Sequence, residues 1–366
     1  MMRGANFLVS RDPHVRFAGM DSLIEHLEAG RDLAPLEVGT AAEFLLGEDE
    51  EVEKKARLLK ALATKGETAA EIAEFVAVFL EKAEKPAFYD YQFDGPTIDV
   101  CGTGGDKLDL FNVSTTSMFL VAAAGGVVVK HGNRGITSKS GGADVLEALG
   151  VKIDLPAEQV GICLEKAGVG FLFAPKYHPA FKAVVPVRQM LAQEGQRTIF
   201  NLIGPLLNPA NPECQLVGVF DGKLCPVFTE ILQRMGRDSS WVVNGRTADG
   251  RAVDEMSLMG PTRICKSGRY EGQLDEEVKP EDFGLEVAAV ADLQGGDAEE
   301  NARILTDVLS GKEEGAKRDM VILNAAAAMA CAGLADHLEH GLEKARELIT
   351  DGSALERLRI LQDCSK

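Results

Sequence analysis

Two glycine-rich segments, each directly after a short apolar and β-branched run, constrain the fold of this chain more than any other feature. The first run, at 97–101, leads into GTGGD, and the second, at 127–130, leads into HGNRG and then SGGAD. A small-residue helical stretch lies between them, which gives the order strand, loop, helix, strand. Further strands are predicted at 215–220 and 241–244. Strands separated by helices predict a mostly parallel central sheet covered by helices, with ligands beyond the strands' carboxyl ends.

The region before the first strand predicts helices only. Between residues 72 and 80, apolar side chains recur at the i, i+3, i+4, i+7 and i+8 spacing of a buried helical stripe. Thr68 and Glu71 form a capping box before this stripe, and Gly66 ends the preceding helix. A later stretch at about 177–196 has similar apolar spacing, which indicates that it returns to the helical region.

The chain therefore predicts an α/β protein with a small all-helical domain and a larger α/β domain. We expect an N-terminal extension with the small helical domain at 1–93 and the first part of the α/β domain at 94–175. The returning helical segment is expected at 176–200, and the second part of the α/β domain at 201–366.

Charge and composition exclude several functional classes. The 366 residues carry 39 Lys and Arg against 57 Asp and Glu, so the formal net charge of −18 argues against nucleic-acid binding. No apolar run reaches the length of a membrane span, and the N-terminus lacks the pattern of a secretory signal. The seven cysteines are odd in number and form no C-x-x-C pair, which argues against a disulfide framework or a zinc knuckle. A cytoplasmic protein without membrane association is predicted.

The first glycine-rich loop, Gly102 to Asp106, has the composition of a phosphate site. Its glycines let backbone N–H groups approach an anion, and Asn112, Ser114 and Thr115 follow at the start of a helix, where the dipole favours negative charge. The loop matches neither the Walker A pattern nor a dinucleotide fingerprint. Taken alone, such a loop is more typical of a tight turn.

The second loop places cations and hydroxyl groups after the next strand. Lys130, His131, Asn133 and Arg134 precede three hydroxyl side chains and a Gly-Gly pair that enters a helix. A solvated polar loop would have a similar composition. Because two successive strand ends carry phosphate-type chemistry at the same edge of the sheet, a binding site is the favoured interpretation.

Two further groups are candidates for a metal and for a carboxylate substrate. The adjacent Asp254 and Glu255 are either charged surface residues or ligands of a magnesium ion. If the two loops bind a pyrophosphate group, a carboxylate pair opposite them can bind Mg²⁺ together with the substrate phosphates. Arg188, ten residues after His178, is either an ordinary surface arginine or a carboxylate clamp. Spacing alone does not decide between these alternatives.

Taken in order, a series of motifs resembles the anthranilate phosphoribosyltransferase family. The motifs are GTGGD, NVST, KHGNR, KSGGADVLEALG, FLFAPKYHPAFK, RTIFNLIGPLLNPA, the Asp254-Glu255 pair, GGDAEENA and LNAAAA. The resemblance extends from about residue 20 to near the C-terminus. It implies a homodimer whose subunits transfer the phosphoribosyl group of phosphoribosyl pyrophosphate to the amine of anthranilate, with the active site at the hinge between the two domains. No covalent nucleophile is implied.

The resemblance also assigns residues to each substrate. For phosphoribosyl pyrophosphate these are Gly102, Thr103, Gly105, Asp106, Asn112, Val113, Ser114, Thr115, Lys130, His131, Gly132, Asn133, Arg134, Gly135, Thr137, Ser138 and Gly142. For anthranilate they are Gly102, His131, Asn133, His178, Arg188, Gly204 and Pro205. Ser114, Asp254 and Glu255 are assigned to magnesium, with two ions expected per subunit.

Four positions depart from the usual family pattern and leave alternatives open. Leu110 replaces a customary Thr, Gly135 and Gly142 stand where Ser or Ala is commoner, and Asn244 replaces a customary His. A relative that uses another aromatic amine is one alternative. A pyrimidine-nucleoside phosphorylase and a non-catalytic paralogue are two others, but the KHGNR run and the carboxylate pair favour a magnesium-dependent transferase.

Overall fold

Four helices form the N-terminal region of the computed structural model, which describes residues 19–88, 91–135, 139–269 and 274–366. They are α1 (Met20–Glu28), α2 (Pro35–Leu46), α3 (Val52–Lys65) and α4 (Ala69–Glu81). The predicted capping box begins α4: Thr68 Oγ1 accepts from the Glu71 N–H at 3.2 Å, and the Glu71 carboxylate accepts from the Thr68 N–H at 2.9 Å. The predicted helical character of this region is confirmed. The predicted extension at the very N-terminus, through residue 18, lies outside the described residues.

Strands and helices then alternate along the chain. The first part comprises β1 (Thr97–Gly102), α5 (Val113–Ala123), β2 (Val127–Gly132), α6 (Gly142–Ala148), α7 (Ala157–Ala167) and β3 (Val169–Phe173), followed by the short α8 (Ala174–Tyr177) and α9 (Val185–Gln193). The second part comprises β4 (Cys214–Gly218), α10 (Leu224–Arg234), β5 (Ser239–Arg246), β6 (Ala252–Val253), β7 (Thr262–Gly268), β8 (Leu274–Val278), α11 (Ala298–Leu309), α12 (Ala316–Ala332), α13 (Leu338–Thr350) and α14 (Ser353–Cys364).

The strands of the described residues form one mixed sheet in the order β3, β2, β1, β4, β5, β7, β8, with β6 paired to β5. The pairs β3–β2, β2–β1, β1–β4 and β4–β5 are parallel, so the predicted mostly parallel sheet is confirmed, although β3 was not among the predicted strands. The antiparallel edge formed by β6, β7 and β8 is an addition that the sequence analysis did not identify.

The two faces of the sheet pack against different apolar layers. In β5, Trp241 and Val243 belong to one buried cluster and Val242 to the other, as expected from the alternation of side chains along a strand. Helices α5 and α12 cover the face that carries Trp241 and Val243. Helix α10 and the N-terminal helices pack in the cluster on the opposite face, which carries Val242. The predicted α/β architecture with a helix-covered central sheet is confirmed.

The helical segment after β3 contacts the N-terminal helices. Lys55 Nζ donates to the Ala183 carbonyl at 3.1 Å, and Lys60 forms an ion pair with Glu194 at 2.6 Å. The domain boundaries predicted above stay predictions. Across the described ranges, none of the helices combines the length and apolar character needed to cross a lipid bilayer.

Candidate active site

The order of the strands creates a switch point between β1 and β4. From β1 the chain continues outward to β2 and β3, and it then returns to place β4 on the opposite side of β1. Ligands of open α/β sheets bind at such a point, beyond the carboxyl ends of the strands. The register pairs Gly102, the last residue of β1, with Gly218, the last residue of β4. A cleft of about 970 Å³ opens beside Gly102.

Many of the predicted site residues line this cleft, and they come from four separate parts of the chain. They are Gly102, Thr103, Gly105, Asp106, Asn112, Val113, Ser114, Arg188, Asp254 and Glu255. The fold therefore brings the first glycine-rich loop, the start of α5, the arginine of α9 and the carboxylate pair to one place.

Two glycines allow Asp254 to sit directly on the strand ends. A Cβ atom on Gly102 would lie 2.5 Å from Asp254 Oδ2, and a Cβ atom on Gly218 would lie 1.6 Å from the Asp254 carbonyl oxygen. Both distances are shorter than any van der Waals contact, so neither position accepts a side chain without displacing Asp254. Glycine is required here for close approach of two backbone segments.

Hydrogen bonds hold the first glycine-rich loop against its neighbours. The Gly104 N–H donates to Asp254 Oδ2 at 2.6 Å, and the Thr103 N–H donates to the Gly218 carbonyl at 2.9 Å. Gly104 and Gly105 have φ values of +71° and +91°, which other residues adopt only with strain. The loop is thus a fixed platform of backbone groups at the base of the cleft.

The N-terminus of α5 forms a second wall, beside a buried lysine. Lys130 Nζ, at the end of β2, donates to the Val100 carbonyl at 2.5 Å and to Ser114 Oγ at 3.2 Å. Asn112 is fixed by Asn301, whose Nδ2 donates to Asn112 Oδ1 at 2.9 Å. Exposed N–H groups at a helix N-terminus favour an anion, and Lys130 adds a positive charge behind them.

Three carboxyl groups meet in the cleft, and burial raises the pKa of each. Desolvation raises the pKa of Asp254 to about 7, and the neighbouring Asp106 adds to the shift. Desolvation raises the pKa of Glu255 to about 8, with a further contribution from Asp254 and an opposing one from Lys130. Burial also raises the pKa of Asp106, which shares a hydrogen bond with Asp254. The ionised forms of these groups therefore need a cation beside them.

The donor set fits Mg²⁺ that is shared with a substrate. Asp254 and Glu255 supply hard carboxylate oxygens, which magnesium prefers. Within the described residues, no three side chains of His, Cys, Asp or Glu are arranged to hold an ion by themselves. Magnesium commonly binds through one or two carboxylates together with substrate phosphates, so this incomplete set suits an ion that arrives with a phosphorylated ligand.

The opposite wall of the cleft carries Arg188 on α9. Its guanidinium group lies 5.5 Å from the centre of the Phe200 ring, and burial lowers its pKa from the usual value. Among the described residues, the guanidinium group of Arg188 makes no hydrogen bond or ion pair. An arginine that is fixed on an aromatic ring and lacks a carboxylate partner is suited to bind one from a ligand.

The two predicted histidines contact each other behind the lining of the cleft. Their rings lie 5.3 Å apart, and His178 Nε2 donates to the Leu207 carbonyl at 2.8 Å. His131 Nε2 is buried and has no partner among the described residues. Burial lowers the pKa of His131 to about 3, so its imidazole is neutral at physiological pH.

Comparison with known proteins gives the same picture. Residues 94–355 match the family model described as the glycosyl transferase family, a/b domain. The anthranilate phosphoribosyltransferase of Desulfatibacillum aliphaticivorans is 44% identical over 341 residues, which cover 93% of this chain and 96% of the relative. The chain belongs to the anthranilate phosphoribosyltransferase family.

Solved structures of anthranilate phosphoribosyltransferases share the fold over nearly their whole length. The enzyme of Thermus thermophilus has a TM-score of 0.84 and 36% identity, with 93% of this chain and 98% of that chain covered. The enzyme of Saccharomyces cerevisiae in complex with PRPP and Mg has a TM-score of 0.80 and 27% identity, with 96% and 99% covered. The yeast enzyme in complex with 4-fluoroanthranilate has a TM-score of 0.78 and 25% identity, with 94% and 98% covered.

Several residues that the family resemblance assigned lie outside the lining of the cleft. These are Thr115, Lys130, His131, Gly132, Asn133, Arg134, Gly135, Gly142, His178, Gly204 and Pro205. Arg134 forms an ion pair with Glu147 of α6 at 2.8 Å, and its guanidinium group lies 5.2 Å from the centre of the Phe173 ring. Thr137 and Ser138 fall outside the described residues. The substrate roles of all of these residues stay predictions.

The departures from the anthranilate phosphoribosyltransferase pattern lie in different environments. Leu110 lines the cleft, so the change from Thr alters its surface. Asn244 is buried in β5 and donates from Nδ2 to the Val219 carbonyl at 2.7 Å, which joins β5 to the end of β4. A Cβ atom on Gly142 would lie 3.0 Å from Thr115 Oγ1, so a small residue suits this contact.

Part of the cleft lining was assigned to no substrate from the sequence. Some of these residues lie in or beside the two predicted loops, namely Gly104, Lys107, Asp109, Leu110, Phe111, Ser140 and Gly141. Others come from elsewhere in the chain, namely Val185, Gln189, Leu191, Ala192, Gly195, Gln196, Arg197, Thr198, Asn201 and Phe220. The helical period of the segment at 177–196 places Arg188, Leu191 and Ala192 on neighbouring helical positions, which was the available signal for this wall.

Proposed function

We propose that this chain transfers the phosphoribosyl group of phosphoribosyl pyrophosphate to the amino group of anthranilate and releases pyrophosphate. One observation carries the proposal: the Gly104 N–H holds Asp254 Oδ2 at 2.6 Å, so a carboxylate pair faces a glycine-rich loop inside one cleft. Membership of the family and the yeast relative's complexes with PRPP and Mg and with 4-fluoroanthranilate support the choice of substrates.

The donor binds between the glycine-rich loop and the start of α5. Backbone N–H groups of the loop and of α5 meet the phosphate oxygens, and Lys130 places a positive charge behind Ser114. Magnesium held by Asp254 and Glu255, with Ser114 beside them, would neutralise the charge that develops on the leaving pyrophosphate. These residues fix the donor so that its anomeric carbon faces the Arg188 wall.

Arg188 orients the acceptor through its carboxylate, which points the amino group at the anomeric carbon. The new carbon–nitrogen bond forms as the bond to the pyrophosphate oxygen breaks, and the nitrogen loses one proton to water. The transition state has oxocarbenium character, so no covalent intermediate with the protein is needed. Positioning the two substrates and stabilising the departing charge account for the rate enhancement.

Four finer points belong to this proposal. Two magnesium ions per subunit are expected from the family resemblance, and the magnesium-bound yeast relative supports use of the metal. A homodimer and a cytoplasmic location are likewise expected from the sequence. Anthranilate rather than another aromatic amine is the proposed acceptor, and of the four departures from the family pattern Leu110 lines the cleft.

The direct test is the loss of anthranilate fluorescence when the protein is mixed with anthranilate, phosphoribosyl pyrophosphate and magnesium. We expect turnover only when all three components are present, with one pyrophosphate released for each anthranilate consumed. Donor binding without anthranilate consumption would contradict the choice of acceptor. Release of base from thymidine or uridine with inorganic phosphate and no magnesium would instead support a nucleoside phosphorylase.

Replacing Arg188 by Ala is expected to weaken anthranilate binding selectively. The change removes a charge-assisted contact to the acceptor carboxylate, so KM for anthranilate should rise about tenfold to hundredfold. KM for phosphoribosyl pyrophosphate should stay within about twofold. Steady-state kinetics with each substrate varied in turn measures both values.

The exposed Arg346 of α13 provides the matched control, because it lies outside the cleft. Arg346→Ala should leave both KM values unchanged. Equal increases in the two KM values of Arg188→Ala would show that Arg188 is not a specific carboxylate contact.

A further inference from the structure

A second arginine of the cleft, Arg197, has the geometry of an anion-binding residue. Its guanidinium group lies 4.4 Å from the centre of the Phe220 ring. Phe220 follows β4, and its N–H donates to Thr103 Oγ1 at 3.1 Å. The stacked ring therefore ties Arg197 to the first glycine-rich loop, whereas Arg188 stacks on Phe200 of its own helical segment.

The backbone that carries Arg197 is well defined. Helix α9 ends in a turn in which Gly195 has a φ of +70° and the Gln196 N–H donates to the Leu191 carbonyl at 2.9 Å. After Arg197, the Thr198 N–H donates to Asn201 Oδ1 at 2.9 Å and begins a 3₁₀ helix at Ile199–Asn201. Arg197 is thus held between two closed turns and not on a long free loop.

The guanidinium group of Arg197 has no counter-ion in the described part of the chain. It makes no hydrogen bond or ion pair there, although Asp106, Asp109, Asp254 and Glu255 line the same cleft. A Cβ atom on Gly105 would lie 3.9 Å from Arg197 Nη2, so the cation lies over the glycine-rich loop. The space between this cation and the loop N–H groups suits a phosphate group.

We propose that Arg197 binds the pyrophosphate part of the donor from the side opposite the glycine-rich loop. The planar guanidinium can donate two parallel hydrogen bonds to phosphate oxygens, and its charge offsets the negative charge that pyrophosphate gains on leaving. The inference rests on the proposed function, which makes phosphoribosyl pyrophosphate the donor. The segment from α9 to the 3₁₀ helix would then contact both substrates, the acceptor through Arg188 and the donor through Arg197.

Binding of magnesium pyrophosphate and of phosphoribosyl pyrophosphate by calorimetry tests this proposal without depending on the acceptor. We expect Arg197→Gln to weaken magnesium pyrophosphate binding about tenfold to hundredfold. Arg197→Lys, which keeps the charge but loses the planar fork, should recover part of the affinity. In steady-state kinetics, KM for phosphoribosyl pyrophosphate should rise while KM for anthranilate stays within about twofold.

Two further variants separate a ligand contact from a structural effect. Arg346→Gln on the exposed face of α13 should bind pyrophosphate as the unmodified protein does. Phe220→Leu removes the ring under the guanidinium group and should weaken pyrophosphate binding less than Arg197→Gln does. Thermal unfolding of each variant shows whether the fold is kept, and the Arg197→Lys comparison applies even if Arg197→Gln proves unstable.

The binding and kinetic measurements decide whether Arg197 contacts pyrophosphate. Unchanged pyrophosphate affinity in a folded Arg197→Gln variant overturns the proposal, as does a rise confined to KM for anthranilate. If the unmodified protein binds pyrophosphate but does not consume anthranilate, the proposed acceptor fails, while the binding comparison still decides the role of Arg197. If the unmodified protein binds neither pyrophosphate nor phosphoribosyl pyrophosphate, both proposals fail.

Discussion

Replacement of Asp254 by Asn together with Glu255 by Gln is expected to reduce magnesium-dependent turnover about a hundredfold to a thousandfold. The two carboxylates are the principal hard ligands facing the glycine-rich loop, and their raised pKa values indicate that the ionised pair needs a cation beside it. The amides keep the size of the side chains but remove the charge that attracts magnesium. Turnover measured across a range of magnesium concentrations should show a much higher half-saturating concentration.

The α2–α3 loop offers a matched control for this variant. Asp49 and Glu50 are also an adjacent Asp-Glu pair, and both are exposed and outside the cleft. Asp49→Asn with Glu50→Gln makes the same change in net charge and should leave the magnesium response unaltered. If the Asp254 and Glu255 variant keeps the normal magnesium response, the metal binds elsewhere and the assignment of this pair is wrong.

Replacement of Gly218 by Ala is expected to destabilise the protein and to abolish most of its activity. The added Cβ atom would lie 1.6 Å from the carbonyl oxygen of Asp254, and backbone on both sides would have to move. Overpacking of this kind costs about 3 kcal/mol or more, which corresponds to a fall in Tm of about 5 °C or more. Because Asp254 itself is displaced, the loss of activity should persist at temperatures at which the variant is fully folded.

Gly39 of α2 serves as the control for the added methyl group. A Cβ atom there meets nothing within 4 Å, and alanine favours a helix over glycine. Gly39→Ala should therefore keep full activity and melt at the same temperature or slightly higher. A Gly218→Ala variant with unchanged Tm and activity would show that the Asp254 backbone can move away from residue 218 without loss of stability or function.

The strand ends of the first half could be predicted from sequence because a local pattern defines them. Each of β1 and β2 is a short apolar run that ends directly in glycine or polar residues, and the carboxyl ends of parallel strands meet at one edge of a sheet. The antiparallel strands β7 and β8 were missed. In the segment at 262–268, polar and apolar residues are mixed, and its pairing with β5 depends on contacts that no local pattern specifies.

The site was predictable where its chemistry is concentrated in short motifs. The glycine-rich loop, the start of α5 and the Asp254-Glu255 pair all line the cleft. The turn before Asp254, in which the Thr247 N–H donates to the Arg251 carbonyl at 2.9 Å, lies outside the cleft. Phe220 could not have been found, because its role arises from stacking with an arginine of a different segment.

The long-range contacts around the cleft also make catalytic activity a late reporter of folding. The Gly104–Asp254 hydrogen bond joins residues 150 positions apart, and the Thr103–Phe220 hydrogen bond joins residues 117 positions apart. Such contacts close large loops, which slows folding relative to the formation of local helices. During refolding, the far-ultraviolet circular dichroism signal of the helices is expected to return before turnover does. The lag between the two signals would measure the time that the chain needs to assemble the cleft.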